Sequence, residues 1–506
     1  MRSVITRNAR HGLISGLRLR SAQPLWISCQ SRRNFVATAE RKDEDRKWST
    51  PLAKQLTEAI NTTGPVPLAS FMRMCLTSDT GGYYTGALQE GRDQFGKKGD
   101  FITSPEISQT FGELIGIWFV AEWISQGRPK KGVELMEVGP GRGTLMDDML
   151  RTIRNFPDMV SSIDAIYMVE ASPELRVAQK NLLCGQDAQM TEDKVGYHST
   201  SKYSGLPIVW TETIQAVPRD ASKTPLIVAH EFFDALPIHA FQVVDIPHSE
   251  KKQPSLSSAQ PRATTDAKSK KQWREMVVAP APLGSTHDSL GTPKSERHDG
   301  PVPEFQLTLS PSATRHSMYV PETSARYRAL KSTPDALIEV CPDSYLYAAE
   351  FASRIGGSKQ YPKERPSGAA LILDYGPSDT IPVNSLRGIK AHKRVSPFSE
   401  PGQVDLSADV DFMAIAEASM MASEGIEVHG PITQADFLET MGIRHRAEHL
   451  ARKVTDETKK QEIEKSWRRL VDKGPGGMGK LYKALAILPE NDGRRRPTGF
   501  GGDVGA

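Results

Sequence analysis

Glycines occupy every other position at 139, 141 and 143 in Val133-Glu134-Leu135-Met136-Glu137-Val138-Gly139-Pro140-Gly141-Arg142-Gly143-Thr144-Leu145. An apolar run passes there into a tight turn and then into a helical pattern from Thr144 to Arg151. Such glycines let backbone amides approach a bound molecule without obstruction by Cβ atoms, and the unpaired N–H groups of the helix start attract a carboxylate or phosphate. A dinucleotide fingerprint needs a further glycine at 144 or 146, where Thr144 and Met146 stand, so hydride chemistry with a nicotinamide is disfavoured. The next apolar run ends in Met168-Val169-Glu170-Ala171. A carboxylate only accepts hydrogen bonds, so Glu170 at a strand end can take a pair of donors from a ligand. The loop and this second acid together predict a ligand-binding site.

Groups for catalysis follow the fourth apolar run, in His230-Glu231-Phe232-Phe233-Asp234-Ala235-Leu236-Pro237. Glu231 and Asp234 lie three apart and share a face on a helical turn, where paired carboxylates can grip a planar cation such as a guanidinium. Phe232 and Phe233 would wall off water. The bland alternative makes the acids helix caps, the aromatics core and His230 a hydrogen-bonded structural residue. A second constellation is Gly99-Asp100-Phe101-Ile102-Thr103-Ser104-Pro105-Glu106, where Thr103 or Ser104 caps a helix with Glu106 in its first turn. That helix start is placed to close over the ligand beside Gly81-Gly82-Tyr83-Tyr84. Gly474 to Lys480 spells GxxxxGK, but Leu481 replaces the hydroxyl residue and no strand precedes it, so it reads as a structural turn. Cys29, Cys75, Cys184 and Cys341 lie far apart, no metal-ligand spacing appears, and no metal is expected.

Helices and a sheet must position these groups. Helical periodicity runs from Pro51 to Ile60 and from Ile107 to Ile124, where Phe111, Leu114, Ile115, Trp118 and Trp123 recur. Apolar runs then alternate with helical patterns at Val133 to Val138, Ala165 to Val169, Pro207 to Trp210 and Leu226 to Ala229, the rhythm of a parallel sheet covered on both faces. Further strands are expected at His239 to Val244, Trp273 to Val278, Phe305 to Leu309, Leu337 to Cys341 and Ala369 to Leu373. The class is therefore α/β, a doubly covered sheet behind an N-terminal helical region. Residues 248–272 and 281–303, rich in polar residues and Pro, read as disordered insertions around a hairpin formed by 239–244 and 273–278. The division is 45–130 helical region, 131–246 ligand-binding core, 247–303 insertions, 304–490 remaining strands with a substrate-binding extension, and 491–506 a flexible tail.

The chain has 506 residues, 38% hydrophobic, and a formal charge of +3, which gives no chain-wide grip on nucleic acid. No apolar run approaches the roughly 18 residues of a membrane span, so no transmembrane segment is expected. Residues 1–39 contain no Asp or Glu and seven Arg, the composition of a mitochondrial transit peptide, here assigned to 1–35 with cleavage near Phe35. Arg18 and Arg20 interrupt every block that could serve as a secretory signal.

The pattern E-x-G-x-G-x-G at Glu137 to Gly143, with Glu170 ending the next strand, resembles the first motifs of class I, Rossmann-like S-adenosylmethionine-dependent methyltransferases. Taken with Gly81 to Tyr84, Gly99 to Glu106, Phe111-Gly112-Glu113, Glu170-Ala171-Ser172-Pro173, Glu231 to Pro237, Leu373-Asp374-Tyr375-Gly376, Leu386-Arg387-Gly388 with His392, Pro401-Gly402 with Asp405, Asp409 to Phe412 and Met478-Gly479, the chain resembles the MidA-like family. Its mitochondrial members are protein-arginine methyltransferases that assist assembly of respiratory complex I. The resemblance implies S-adenosyl-L-methionine as cofactor, held by Glu137, Gly139, Gly141, Gly143, Thr144, Leu145, Glu170 and Ala171, with Ser104, Pro105 and Glu106 at its edge. Glu137 would meet the methionine ammonium, and Glu170 both hydroxyls of the ribose. The resemblance further implies symmetric dimethylation of an arginine in the 49-kDa core subunit of complex I, in the matrix, with Glu231 and Asp234 holding the guanidinium and Asp374, His392, Asp409 and Asp411 as alternatives. Two departures are His230, where the family has Asn, and the insertions at 248–272 and 281–303. Rival readings are a non-catalytic assembly chaperone that keeps the fold and a methyltransferase for a small molecule. Oligomeric state is not legible.

Overall fold

The computed structural model describes residues 46–86, 96, 99–246, 270–297 and 301–501, so the transit-peptide assignment lies outside the described residues. Its centre is a nine-stranded sheet. The core strands are β1 (Val133–Val138), β2 (Ile163–Val169), β3 (Pro207–Thr211), β4 (Thr224–His230), β5 (Ala369–Tyr375), β6 (Ile426–Thr433) and β7 (Tyr482–Pro489). Their order is β6-β7-β5-β4-β1-β2-β3, continued by two short edge strands, Tyr197–Thr200 and Thr191–Glu192. Strands β1 to β5 are mutually parallel, as the alternation of apolar runs with helices requires, while β7 runs antiparallel between β5 and β6. All residues of β1 and β4 are buried because both faces of the sheet are covered there, which suits the apolar centre of β4 and encloses even Glu134 and Glu137 of β1.

Two helices fix the glycine turn. Helix α1 (Gln109–Ser125) is buried on almost every face, and α2 (Thr144–Ile153) leaves the turn directly. They approach closely because Gly112 and Gly116 face α2: a Cβ at Gly112 would lie 2.5 Å from Cβ of Asp148. Helix α3 (Pro173–Cys184) follows β2, capped by the Ser172 hydroxyl, which accepts from the Leu175 N–H. On one face α1 and α2 pack with Trp118, Met146 and Leu150; on the other Phe351, Ile355, Phe412 and Ile415 cover Val138, Ile227 and Ile372.

A second, antiparallel sheet joins Val66–Pro67, Lys270–Pro280, His239–Ile246 and Leu337–Val340, with Phe305–Leu309 paired to Lys270–Pro280. The expected hairpin is present, with Val243 opposite Trp273 and Ala240 opposite Met276. It extends to residue 270, so 270–272 belong to a strand rather than to a loop, and 248–269 lie outside the described residues. Residues 281–297, expected as disordered, form turns and a short 3-10 helix held by bonds such as Arg297 to the Thr292 carbonyl. The expected flexible tail also differs: through 501 it packs on α1, where Arg495 pairs with buried Glu122, Trp118 Nε1 donates to the Thr498 carbonyl at 3.0 Å, and Phe500 contacts Phe437. Composition around 494–496 conceals these anchors because they are single long-range partners rather than a pattern. No helix among the described residues is long and apolar enough to cross a membrane.

Candidate functional site

The carboxyl ends of β1, β2, β4 and β5 open on one cavity of about 1250 Å³. Clefts at this edge are where open α/β sheets hold ligands. Gly139, Gly141 and Gly143 all adopt left-handed backbone, at φ 69°, 52° and 83°, and a Cβ at Gly139 would lie 2.4 Å from Cδ2 of Phe232. The loop after β1 thus closes against the loop after β4 only because its first glycine has no side chain. Gly139, Gly141, Thr144 and Leu145 line the cavity. Gly143 does not: it turns the chain into α2 and lies against Gln179.

Glu137 projects from the end of β1 into this space, 2% exposed, and its Oε2 has no hydrogen-bond partner among the described residues. Burial pushes its carboxyl up to about 8. A buried, unpartnered carboxylate oxygen is costly unless a cation or donor meets it, and a ligand's ammonium is one group that can. Glu170 ends β2 and is also buried, raised to about 7 by desolvation. Its Oε1 accepts the Ser172 N–H at 2.8 Å, and its Oε2 accepts Gln179 Nε2 at 3.2 Å. The same nitrogen donates to the Gly141 carbonyl at 2.6 Å, while Trp210 Nε1 donates to Gln179 Oε1 at 2.9 Å. Gln179 therefore braces the glycine loop and Glu170 against one another. It lies in α3 without any motif around it, and only its full burial in a helix of polar composition singles it out. Left-handed glycines, an orphaned buried acid beside them and a second acid at the next strand end fit an adenosyl amino acid.

Glu231 and Asp234 both reach the cavity, but each already has partners. Glu231 is held at φ 48°, an uncommon conformation for a residue with a side chain. Its Oε1 faces the Ser104 N–H and hydroxyl at 3.3 and 3.4 Å, with His230 Nε2 at 3.2 Å. Ser104 is fully buried and does not itself line the cavity, so it positions Glu231 instead of bordering the ligand; Pro105, Glu106 and Ala171 do line it. Thr103 and Glu106 form the expected cap, the Thr103 N–H donating to Glu106 Oε2 at 3.1 Å. The hydroxyl of Tyr375 donates to Asp234 Oδ2, leaving buried Oδ1 without a partner among the described residues. Burial first, then neighbouring Glu231, raises the Asp234 carboxyl to about 6, against the lowering effect of the Tyr375 bond.

The alternatives divide. His392 and Asp409 line the cavity. Asp374 lies beneath it, accepting the N–H groups of Phe232, Phe233 and Asp234 at 3.1, 2.9 and 3.3 Å, and so shapes the loop without facing the ligand. Asp411 turns away, capping the helix Phe412–Ala422 and pairing with Arg326 at 2.8 Å. Residues given no individual role above complete the wall: Arg387 stacks 4.3 Å over the Tyr375 ring and bonds Asp409 at 2.7 Å, and Tyr84 donates to Asp405 at 2.8 Å. Asp405, fully buried, is raised to about 7 by desolvation. The GxxxxGK segment is a turn between a helix and β7, with a strand after it and none before.

The family model described as "Putative S-adenosyl-L-methionine-dependent methyltransferase" matches residues 114–432. Mitochondrial proteins named protein arginine methyltransferase NDUFAF7 are similar over most of their length: that of Xenopus tropicalis is 32% identical, covering 94% of this chain and 96% of its own, and that of Homo sapiens 32%, covering 87% and 84%. The Drosophila melanogaster homologue is 34% identical over 93% and 95%. A protein from Burkholderia thailandensis crystallised with S-adenosyl-homocysteine superposes with a TM-score of 0.59 at 21% identity, over 90% of this chain and 93% of that one.

Proposed function

Since the chain belongs to the MidA-like family of S-adenosyl-L-methionine-dependent methyltransferases, with S-adenosyl-L-methionine as its cofactor, we propose that it methylates arginine side chains of a protein in mitochondria. When bound, the cofactor supplies an electrophilic methyl group on a sulfonium. Glu137 takes its ammonium and Glu170 its ribose hydroxyls, while the glycine loop, Thr144, Leu145 and Ala171 form the cradle. Pro105 and Glu106 close its edge, and Ser104 acts through Glu231.

One observation carries the reading: the cradle and the acid–tyrosine cluster of Glu231, Asp234, Tyr375 and Asp405 line a single cavity. Its volume of about 1250 Å³ exceeds the roughly 300–1,000 Å³ of ordinary small-ligand pockets, which leaves space for a side chain beside a nucleoside. Arginine stays protonated, so the site must orient it and receive a proton once its nitrogen gains a fourth bond. Glu231, fixed by Ser104, and Asp234, fixed by Tyr375, hold the guanidinium, and Asp234 Oδ1 accepts that proton. Phe232 and Tyr375 exclude water. A base near neutrality needs no extreme shift, and a carboxyl near 6 is largely ionised at matrix pH.

The finer reading is symmetric dimethylation of an arginine in the 49-kDa core subunit of complex I, in the matrix. It rests on the family resemblance, while the names of the mitochondrial relatives support arginine methylation and the organelle. Incubating the mature protein and labelled cofactor with matrix extract, followed by fragmentation mass spectrometry, tests it. Label on a symmetric dimethylarginine of that subunit is expected. Label confined to small molecules, or to asymmetric dimethylarginine, overturns the substrate class or the product, respectively. Full rescue of deficient cells by both Glu137→Ala and Gly141→Val would instead favour a non-catalytic assembly role.

A further inference from the structure

Away from the cavity, three residues distant in sequence converge on one point of the second sheet. His239 opens the strand His239–Ile246, Glu275 lies in Lys270–Pro280, and His316 lies in the short helix Arg315–Tyr319. None lines the cofactor cavity. His239 Nδ1 stands 2.7 Å and His316 Nδ1 3.3 Å from the same oxygen, Oε1 of Glu275, and the imidazole centroids are 4.3 Å apart. One ligand atom from each residue lies within 4.8 Å of the others. Glu275 is wholly buried, His239 nearly so, and His316 faces solvent with 47% of its side chain exposed. The second carboxylate oxygen is held by the Thr314 hydroxyl, an outer partner that fixes the carboxylate's orientation.

We propose that His239, Glu275 and His316 form a binding site for a divalent transition-metal ion, best suited to Zn²⁺. Two imidazoles and one carboxylate are a common donor set for that ion, whereas Mg²⁺ and Ca²⁺ require oxygen-rich shells. Donors about 2.0–2.1 Å from a tetrahedral ion stand about 3.3 Å apart. The His316–Glu275 separation meets this distance as it stands, and His239 need withdraw only slightly. The exposed side of His316 leaves the fourth position to water. Such an ion would pin the 310–319 segment to the hairpin that begins just after the Glu231–Pro237 loop, a structural staple from three separate elements. No sequence spacing betrays it, because the ligands lie at 239, 275 and 316 and only the sheet register brings them together.

The test uses the full mature chain, free of any affinity tag, stripped with chelator and titrated with Zn²⁺, then Co²⁺, by calorimetry and visible absorption. One equivalent of Zn²⁺ and the visible bands of low-symmetry Co²⁺ are expected. His316→Ala changes a solvent-facing residue, so folding is retained, as unchanged S-adenosyl-homocysteine binding will report. That variant should weaken Zn²⁺ uptake by more than the roughly 10–100-fold that loss of an outer-shell partner costs. Absence of saturable uptake, or equal uptake by His316→Ala, would overturn the proposal and leave the trio a hydrogen-bonded cluster.

Discussion

Gln179 Nε2 lies 3.2 Å from Glu170 Oε2, and by also holding the Gly141 carbonyl at 2.6 Å it ties the glycine loop to the acid at the end of β2 as one unit. Replacing Gln179 with Leu roughly keeps the volume but releases Oε2 of Glu170, so that of the two bonds only that from the Ser172 N–H remains, and leaves the buried Trp210 Nε1 without its acceptor. Leaving one buried donor unsatisfied costs about 1–3 kcal/mol, so the midpoint of urea unfolding should fall. The affinity for S-adenosyl-homocysteine should drop about 10–100-fold, as for other residues that orient ligand-binding groups. Calorimetry checks this; native affinity in Gln179→Leu would show that Glu170 needs no brace.

Four buried acids that line the cavity carry raised carboxyls: Glu137 at about 8, Glu170 and Asp405 at about 7, and Asp234 at about 6. Unfolded, each titrates near 4, so the folded chain binds more protons between those values, and its stability falls as pH rises from about 4 toward 8. The ligand-free protein should therefore melt at a lower temperature at pH 8 than at pH 6. Binding of an ammonium favours the ionised Glu137, so affinity for S-adenosyl-homocysteine should rise over the same interval and proton release should accompany binding. Glu137→Gln should abolish most of that pH dependence. Scanning calorimetry and titration in buffers of differing ionisation enthalpy measure both effects.

Asp234 and Tyr375 can be separated kinetically. Asp234→Asn removes the acceptor at Oδ1 and should lower kcat by about 10²–10⁴, the usual contribution of a positioned base, with little change in cofactor affinity. Tyr375→Phe removes the bond that lowers the Asp234 carboxyl, so its pKa rises and the acid limb of the kcat profile should move to higher pH. An unshifted profile would assign Tyr375 a purely packing role.

Much of this site was legible because its signals are local. The glycine loop and Glu170 sit where strands end, and a strand-to-turn pattern places them regardless of the rest of the fold. Core strands β1 to β5 are legible as short apolar runs between helical patterns, and Glu231, Asp234, Pro105 and Glu106 reach the cavity as expected. What escaped depends on distant partners. Asp411 stands two residues from Asp409 and Asp374 beside Tyr375, yet Arg326 draws the first away from the cavity and the amides of the 232–234 loop hold the second beneath it. Nothing near 387 or 405 reveals that Arg387 will stack on Tyr375 or that Asp405 will meet Tyr84. The antiparallel insertion of β7 is likewise illegible, since Tyr482 to Pro489 follows a glycine-rich turn that resembles a phosphate loop more than the approach to a central strand.

The C-terminal segment gives the clearest test of how far long-range anchors matter. Arg495 is 373 residues from Glu122, yet its guanidinium neutralises that carboxylate, which is 2% exposed on α1. Desolvation raises the Glu122 carboxyl, and Arg495 is the leading influence that lowers it. Removing one partner of a buried pair leaves the other charge uncompensated, at about 3–5 kcal/mol. Arg495→Ala should therefore destabilise the protein by an amount in that range and move its unfolding midpoint accordingly. Because α1 packs on α2, the loss should also loosen the glycine loop and weaken cofactor binding. Arg494→Ala, whose side chain is 81% exposed, should leave both measurements unchanged. Equal behaviour of the two variants would mean that the segment is not anchored through Glu122.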